Sequence, residues 1–148
     1  MNERYIRQIM IPEIGEAGQE KLKNAKVLIV GIGGLGSPIS LYLTAAGVGQ
    51  IGLIDDDIVS KSNLQRQILY TEAEIGQSKV ECACRRLSAL NSSTRFETYP
   101  NRFTPDNANR LVSAYDIIVD GCDNAATRYL IDDVCSRFKK PYVYGSIS

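Results

Sequence analysis

Short apolar runs alternate along most of the chain with longer stretches in which apolar residues recur at helical spacing. The runs at positions 26–30, 50–54, 95–99, 115–120 and 141–148 predict five β-strands. The stretches at 35–47, from 79 onward, at 104–113 and after 124 predict helices between them. Strands that alternate with helices form parallel sheets covered on both faces. The pattern therefore predicts an α/β fold with a doubly wound, mostly parallel sheet.

The segment before the first strand is more polar. Positions 2–8 and 16–24 predict two short polar helices joined across Pro12 and Gly15. We interpret residues 1–25 as a helical arm outside the sheet and residues 26–148 as the main domain. Arg7 lies among apolar residues at positions 6 and 9–11, a face that could pack on this domain or on a second copy. A solvated arginine is the alternative.

Local signals predict where the helices begin and end. The stretch at 35–47 is apolar nearly all round, as expected of a helix between the sheet and a neighbour, and Gly47 should stop it. Ser78 and Glu81 predict a capping box, with a buried stripe at 80, 83, 84 and 87. The Thr-Pro pair at 104–105 predicts another helix start. The inner face of the last helix is predicted to comprise Leu130, Ile131, Val134, Cys135 and Phe138.

Composition narrows the class of protein. A length of 148 residues suits one domain, and 44% hydrophobic residues can form a core. Lys plus Arg equals Asp plus Glu at 17 each, so no basic surface suggests nucleic acid or an anionic membrane. Without a long apolar stretch or a signal peptide, we expect a cytoplasmic protein with no membrane partner. The four cysteines lack C-x-x-C spacing and histidine is absent, which argues against zinc within this chain.

A glycine-rich turn follows the first predicted strand. Gly31, Gly33 and Gly36 fit the pattern G-x-G-x-x-G. These glycines allow a tight turn and close approach of the backbone to phosphate, which free N–H groups at the next helix start can bind. The turn indicates a Rossmann-like, nucleotide-binding fold. A glycine turn that only packs the strand against the helix is the alternative.

Three consecutive aspartates end the second strand. Asp55 lies 19 residues beyond Gly36, near the spacing at which an acidic side chain binds the ribose hydroxyls in such folds. We predict Asp55 as the ribose ligand. Ordinary turn chemistry is the alternative, although adjacent carboxylates repel each other, and a bound ribose or cation would offset that repulsion.

Three more polar residues are candidates for a phosphate site. Arg66 lies in the donor-rich segment 60–67, where several fixed donors could surround a triphosphate; the alternative is a solvated loop. Lys79 begins a helix, where its positive charge interacts unfavourably with the helix dipole. An anionic ligand would offset this penalty; the alternative is an ordinary surface lysine. Asp123 follows the fourth strand, which neighbours the first in a sheet of order 3-2-1-4. A carboxylate facing phosphate there suggests Mg²⁺, whereas the alternative is a helix N-cap.

Together these residues resemble the ThiF/MoeB/HesA family, relatives of the ubiquitin-activating enzymes. The resemblance spans residues 4–148 and rests on six motifs. They are Arg4-Tyr-Ile-Arg7-Gln, Gly31-x-Gly-Gly-x-Gly36, Asp55-x-Asp57, Asn63-Leu-Gln-Arg66-Gln, Gly76-Gln-Ser-Lys79 and Cys122-Asp123-Asn124.

The resemblance implies ATP and Mg²⁺ as cofactors. It implies that Gly34 lines the nucleotide, Asp55 holds ribose, and Asn63, Arg66 and Lys79 contact phosphates. Asp123 would hold Mg²⁺, and Arg7 would reach the nucleotide of a partner subunit in a homodimer. We take Arg7, Arg66, Lys79 and Asp123 as the catalytic set. The nucleotide-binding set also includes Gly31, Gly33, Gly34, Gly36, Asp55, Asp57, Asn63, Gln65 and Asn124.

The family's C-terminal half carries paired C-x-x-C zinc ligands and a crossover segment with a reactive cysteine. Neither occurs in this sequence. We therefore expect the chain to be the N-terminal portion of a larger protein, with Zn²⁺ only in the missing half. Cys122, at the end of a predicted buried strand, is interpreted as a small core residue rather than as the reactive cysteine.

The implied reaction is the attack of a C-terminal glycine carboxylate on the α-phosphorus of ATP, which releases pyrophosphate and leaves an acyl-adenylate. The carboxylate is already ionised near neutral pH, so a chain without histidine can catalyse it. The implied partner is a ubiquitin-like sulfur-carrier protein of the thiamine or molybdopterin type. An NAD-dependent oxidoreductase and an idle nucleotide-binding module remain alternatives.

Overall fold

The computed structural model describes residues 3–146. Its five strands form one all-parallel sheet in the order β3-β2-β1-β4-β5, which confirms the predicted α/β fold and strand order. The strands are β1 (Lys26–Val30), β2 (Gln50–Ile54), β3 (Arg95–Tyr99), β4 (Ile117–Asp120) and β5 (Tyr142–Tyr144). The α-helices are α1 (Ile6–Ile9), α2 (Gly15–Asn24), α3 (Gly36–Ala46), α4 (Lys79–Leu90), α5 (Pro105–Ala114) and α6 (Ala125–Phe138). Single 3-10 turns lie at Glu3–Tyr5, Lys61–Asn63 and Glu72–Glu74.

The central strands are buried on both faces because helices cover each side. In β1 and β2 every residue after the first is buried, as expected of parallel strands with near-continuous apolar sequence. One core cluster joins the sheet to α3 and α4, and a second joins it to α5 and α6. This arrangement is the doubly wound architecture that the sequence predicted.

The N-terminal arm packs on the edge of the domain where the strands begin. Tyr5 is buried, and its hydroxyl accepts a hydrogen bond from Asn91 Nδ2 at 2.7 Å. Gln8 Nε2 donates to the carbonyl of Ala46, the last residue of α3, at 2.7 Å. The predicted first helix is shorter than expected, a 3-10 turn followed by α1, and Asn2 lies outside the described residues.

Helix α3 is not buried in the way its apolar sequence suggested. The side chains that face the sheet are small and polar, Ser37, Ser40 and Thr44, whereas Tyr42 is 77% exposed. Its apolar residues Ile39, Leu41 and Leu43 are only half-buried and pack against the core cluster beside them. Gly47 ends the helix in the left-handed conformation (φ 93°), as predicted.

The predicted capping box of α4 is wrong. Ser78 is the N-cap, but its side chain makes no capping hydrogen bond. Ser78 instead pairs with Ile58 in a β-bridge, and the first helical N–H, that of Lys79, donates to the carbonyl of Asp57 at 3.1 Å. In the buried stripe Cys82 replaces Cys84, which is only half-buried.

Smaller corrections concern the C-terminal third. Strand β4 starts at Ile117, because Tyr115 instead caps the end of α5. Tyr115 is buried, and its hydroxyl shares a hydrogen bond with the Tyr99 hydroxyl at 2.9 Å. Phe138, predicted inside, is 40% exposed at the last turn of α6. The last strand comprises only Tyr142–Tyr144, and residues 147–148 of the predicted strand lie outside the described part of the chain.

Candidate functional site

A cavity of about 710 Å³ opens at the carboxyl edge of the sheet. Its lining comes from the glycine turn after β1, the aspartates after β2, the segment that follows β3 and the loop between β4 and α6. This is the position at which open α/β sheets bind ligands, where the connections from neighbouring strands diverge to opposite faces. Its volume lies within the range of small-molecule sites.

The glycine turn lies against the β4–α6 loop. Gly31 has φ +90°, and a Cβ there would lie 2.9 Å from the carbonyl carbon of Gly121. A Cβ on Gly36 would collide with the carbonyl of Gly31. The turn therefore requires glycine at both positions. The first turn of α3 begins beside the cavity, where backbone N–H groups favour an anion.

Asp55 is fixed at the carboxyl end of β2. Its Oδ2 accepts a hydrogen bond from the Ile32 N–H at 2.8 Å, and its Oδ1 accepts one from the Asp57 N–H at 2.8 Å. Each carboxylate oxygen has further lone pairs. The carboxylate is thus oriented by the backbone and lines the cavity with acceptor capacity left for hydroxyl groups.

Lys79 and Asp57 form an ion pair at the floor of the site. The Lys79 Nζ lies 3.0 Å from Asp57 Oδ2, and the side chains are 4% and 59% exposed respectively. Burial acts to raise the pKa of Asp57, but the hydrogen bonds from Lys79 and from the Ile58 N–H, together with the Lys79 charge, lower it below its ordinary value. The sequence interpretation placed Lys79 off the buried stripe. The structure buries it, and Asp57 supplies the anion at the start of α4.

The segment after β2 lies against the glycine turn. Asn63 and Arg66 line the cavity, and Arg66 Cδ lies 3.7 Å from where a Cβ on Gly34 would be. Gln65 is exposed and does not line the cavity. Gln67 does line it, although the sequence analysis did not single it out. Its side chain is 4% exposed, and its amide nitrogen lies beside Gly33.

Asp123 is exposed and lines the cavity. The N-cap alternative for Asp123 is wrong, because Asn124 is the N-cap of α6 and its Oδ1 accepts a hydrogen bond from the Thr127 N–H at 2.8 Å. Capping therefore does not account for the aspartate, and its carboxylate is available to a ligand. The neighbouring Cys122 is buried, as expected of a core residue. Burial, with the hydrogen bond to Asp120, raises the pKa of the Cys122 thiol to about 11, so the thiol is protonated at neutral pH.

Arg128 is a second residue that the sequence analysis missed. Its Nη2 donates to the carbonyl of Cys122 at 2.9 Å and to that of Gly145 at 3.2 Å, and its guanidinium lies 4.6 Å from the Tyr144 ring centre. It lines the cavity and ties the loop that carries Asp123 to the end of β5. No sequence pattern marks it, because an arginine in the first turn of a helix is common on surfaces.

Arg7 lies apart from the cavity of its own chain. It is exposed on α1, which the bond from Gln8 holds at the C-terminal end of α3. The glycine turn is at the other end of α3, which has 11 residues and is therefore about 16 Å long. The structure thus brings the other predicted catalytic residues, Arg66, Lys79 and Asp123, to one cavity and leaves Arg7 outside it.

Residues 3–146 contain no group of three or more His, Cys, Asp or Glu side chains that could hold a metal ion by itself. None of the helices in this described part of the chain has both the length and the apolar character needed to cross a bilayer.

Comparison with known proteins gives the family. The model of the ThiF family matches residues 5–148. The chain belongs to the ThiF family. Among curated relatives, the sulfur carrier protein adenylyltransferase of Thermus thermophilus is 48% identical over 145 residues, covering 98% of this chain and 54% of that protein. The probable adenylyltransferase/sulfurtransferase MoeZ of Mycobacterium tuberculosis is 50% identical over 144 residues, covering 97% of this chain and 37% of that protein. The chain thus spans about a third to a half of these relatives.

Two solved structures of this fold hold ATP. The E. coli tRNA N6-threonylcarbamoyladenosine dehydratase TcdA in complex with ATP has a TM-score of 0.91 and 30% identity, covering 99% of this chain and 62% of that one. E. coli MccB with ATP has a TM-score of 0.88 and 32% identity, covering 99% of this chain and 46% of the MccB chain. The family's fold therefore accommodates ATP in at least two relatives.

Proposed function

We propose that this chain is the nucleotide-binding part of an ATP-dependent adenylyltransferase that activates the C-terminal glycine of a ubiquitin-like sulfur-carrier protein. One observation carries the proposal. A single cavity at the sheet edge is lined by the glycine turn, the oriented Asp55 carboxylate, the cations Arg66 and Lys79, and the carboxylate of Asp123. The adenylyltransferase names of relatives that are about half identical support it.

Each part of the cavity suits a part of ATP. Asp55 has the acceptor capacity to bind the ribose hydroxyls, as acidic residues after the second strand do in nucleotide-binding sheets. The glycine turn and the start of α3 offer backbone N–H groups to the phosphates. Arg66 and Lys79 supply positive charge where the triphosphate would lie. We also include Asp57, Asn63 and Asn124 in the nucleotide site, because all three line the cavity.

The chemistry demands positioning and charge rather than proton transfer. The attacking group is a carboxylate that is ionised at neutral pH, so no general base is required. Arg66 and Lys79 would neutralise charge on the phosphates and on the departing pyrophosphate. The Lys79 ammonium is held in place by Asp57, so little reorganisation is needed when phosphate oxygens replace that carboxylate.

The residues present fit Mg²⁺. Mg²⁺ is usually held by one or two carboxylates together with phosphate oxygens and water, not by a cage of protein ligands. The Asp123 carboxylate lines the cavity, is not used as a helix cap and belongs to no larger acidic cluster of residues 3–146. Asp123 would hold Mg²⁺, which when bound would screen the charge of the triphosphate.

The proposed substrate is the Gly-Gly tail of a sulfur carrier that serves thiamine or molybdopterin synthesis, in the cytoplasm. The name of the Thermus relative supports a sulfur carrier as the class of substrate. The name of MOCS3 from Mus musculus, 48% identical over 143 residues, likewise joins adenylyltransferase and sulfurtransferase. These names do not favour one of the two pathways.

We also propose a homodimer in which Arg7 completes the partner's site. Arg7 is exposed at the far end of α3 from its own cavity, so it would reach a nucleotide only across an interface. The arm and α3 carry exposed apolar side chains that a second copy would cover, namely Met10 (74% exposed), Ile11 (45%) and Tyr42 (77%). An arginine supplied in trans can add charge stabilisation in the transition state.

The proposed activity is tested by ATP:pyrophosphate exchange with a sulfur-carrier protein that ends in Gly-Gly. Wild-type protein should exchange label, whereas Asp123→Ala and Lys79→Ala should not. Circular dichroism should show both variants folded. Exchange at the wild-type rate in either variant would remove that residue from the site. Binding of Mg·ATP without exchange in the wild type would favour an idle nucleotide-binding module.

A further inference from the structure

The proposed reaction assigns no role to one buried polar side chain beside the glycine turn. Gln67 is 4% exposed, and its Oε1 is fully enclosed without a hydrogen-bond partner among residues 3–146. The cost of burying an unpaired amide oxygen is substantial, and such groups are rare in folded proteins. Methionine or leucine would fill the same volume without that cost. The position of Gln67 therefore calls for a reason outside the packing of the chain.

The direction of the amide supplies that reason. The Nε2 lies 3.3 Å from the point where a Cβ on Gly33 would be, and both residues line the cavity. Gly33 is the middle glycine of the turn, the position at which the backbone comes closest to a bound phosphate in such folds. An amide nitrogen there can donate to the same phosphate oxygens as the turn.

The neighbouring residue strengthens the argument. Arg66 lies against Gly34 just as Gln67 lies against Gly33, with its Cδ and Nε both 3.7 Å from where a Cβ would be. The two consecutive side chains therefore flank the two consecutive glycines. Arg66 provides charge, is exposed and reaches the Ser62 carbonyl at 3.3 Å. Gln67 is buried and its backbone N–H donates to the Asn63 carbonyl at 2.9 Å, so the start of its side chain is fixed.

We propose that the Gln67 carboxamide is a nucleotide-positioning group, which donates a hydrogen bond from Nε2 to a phosphate oxygen of ATP above the Gly33–Gly34 turn. This inference rests on the proposed function. It assigns Gln67, rather than the exposed Gln65 of the same segment, to the nucleotide site. The buried, unpaired oxygen is then the consequence of holding the amide in one orientation before the ligand arrives.

The proposal is tested by comparing stability with affinity in Gln67→Met. Methionine has nearly the same shape but no polar atom. In the ligand-free protein it should leave the midpoint of thermal unfolding unchanged or raise it by about 2–4 °C, because a buried unpaired oxygen is removed. By calorimetry, the affinity for the non-hydrolysable analogue AMPCPP with Mg²⁺ should fall about tenfold or more, as expected for a lost hydrogen bond to a charged group. A purely structural glutamine would show the reverse, with lower thermal stability and unchanged affinity.

Two further variants complete the test. Gln67→Glu keeps the shape but replaces the donor with a negative charge, and should lose at least as much affinity as Gln67→Met. Ile68→Met is the matched control, because Ile68 is 64% exposed and lies outside the cavity lining; its affinity and midpoint should equal those of wild type. Wild-type affinity in Gln67→Met would overturn the proposal for Gln67 alone. Failure of wild-type protein to bind AMPCPP at all would overturn both this proposal and the proposed function.

Discussion

The ion pair between Asp57 and Lys79 gives the sharpest prediction, because one partner is buried and the other is not. In the wild type, Asp57 Oδ1 accepts a hydrogen bond from the Ile58 N–H at 2.9 Å. Replacing Asp57 by Asn removes the negative charge but keeps an oxygen that can accept this bond. The Lys79 ammonium, 4% exposed, would then face the positive end of the α4 dipole without a counter-charge.

The loss of stability expected in Asp57→Asn lies between two known limits. Breaking a fully buried pair costs about 3–5 kcal/mol, whereas exposed pairs contribute about 0.2–1 kcal/mol. Asp57 is 59% exposed, so solvent screens its side of the pair. We therefore expect Asp57→Asn to lower the free energy of unfolding by about 1–2 kcal/mol, measured by urea denaturation at pH 7. The neighbouring Asp56→Asn is the matched control. The Asp56 side chain forms an exposed ion pair with Arg102 at 3.9 Å, so this change should alter stability by less than about 0.5 kcal/mol.

The pH dependence follows from the lowered pKa of Asp57. A carboxyl whose folded pKa lies below its unfolded value of 3.8 contributes stability above that value and loses it as the pH falls through the folded pKa. Hence the difference in free energy of unfolding between wild type and Asp57→Asn should be constant near neutrality and should disappear as the pH falls below 3.8. Saturating Mg·ATP at pH 7 should also narrow the difference, because phosphate oxygens replace the lost carboxylate at Lys79.

A double-mutant cycle with Lys79→Met isolates the pair itself. We expect a coupling free energy of about 1–2 kcal/mol between positions 57 and 79 without nucleotide. A coupling near zero, or a difference that widens when Mg·ATP is added, would refute the view that Asp57 holds Lys79 in place of phosphate.

Further predictions concern the turn, the cap and the arm. Asn124→Ala should lower the free energy of unfolding by about 1 kcal/mol through loss of the α6 cap, whereas Asp123→Ala should change it by less than about 0.5 kcal/mol; urea denaturation of both distinguishes cap from ligand. Gly31→Ala should destabilise the protein by more than about 1 kcal/mol in the same assay, because a Cβ at φ +90° would lie 2.9 Å from the backbone of Gly121. Mixing Arg7→Ala with Asp123→Ala subunits, each inactive alone, should partly restore pyrophosphate exchange; native mass spectrometry must first show mixed dimers, and dimers without activity would exclude Arg7 acting in trans.

The positions of the strands were predictable because most strands are short apolar runs, and the order 3-2-1-4 followed from the doubly wound topology that the glycine turn indicates. The glycine turn also specified a parallel sheet and the place where β1 and β4 meet. The first three strands, whose bounds match the prediction, and the helix stop at Gly47 illustrate how strongly local patterns determine such a fold. Two strand bounds differ from the prediction. Strand β4 starts later, because Tyr115 is apolar enough to suggest a strand but caps the end of α5, and β5 comprises only Tyr142–Tyr144.

The site was less predictable because the side-chain partners there come from distant parts of the chain. From the sequence, Lys79 could be an ordinary surface residue, and only the folded structure shows that it is buried and paired with Asp57. The choice between Asp123 and Asn124 as the cap depends on a one-residue shift of the helix start, which sequence patterns do not resolve. Gln67 and Gln65 are equally polar in the sequence, and only the turn of the backbone after Asn63 buries one and exposes the other.

The central claim is that the cavity is a site for Mg·ATP, and isothermal titration of the 148-residue chain tests it most directly. We predict one binding site for Mg·ATP per chain, with affinity reduced at least tenfold in Asp123→Asn and without a measurable response to NADH. Tight binding of NADH with no heat from Mg·ATP would contradict the account and favour an NAD-dependent oxidoreductase.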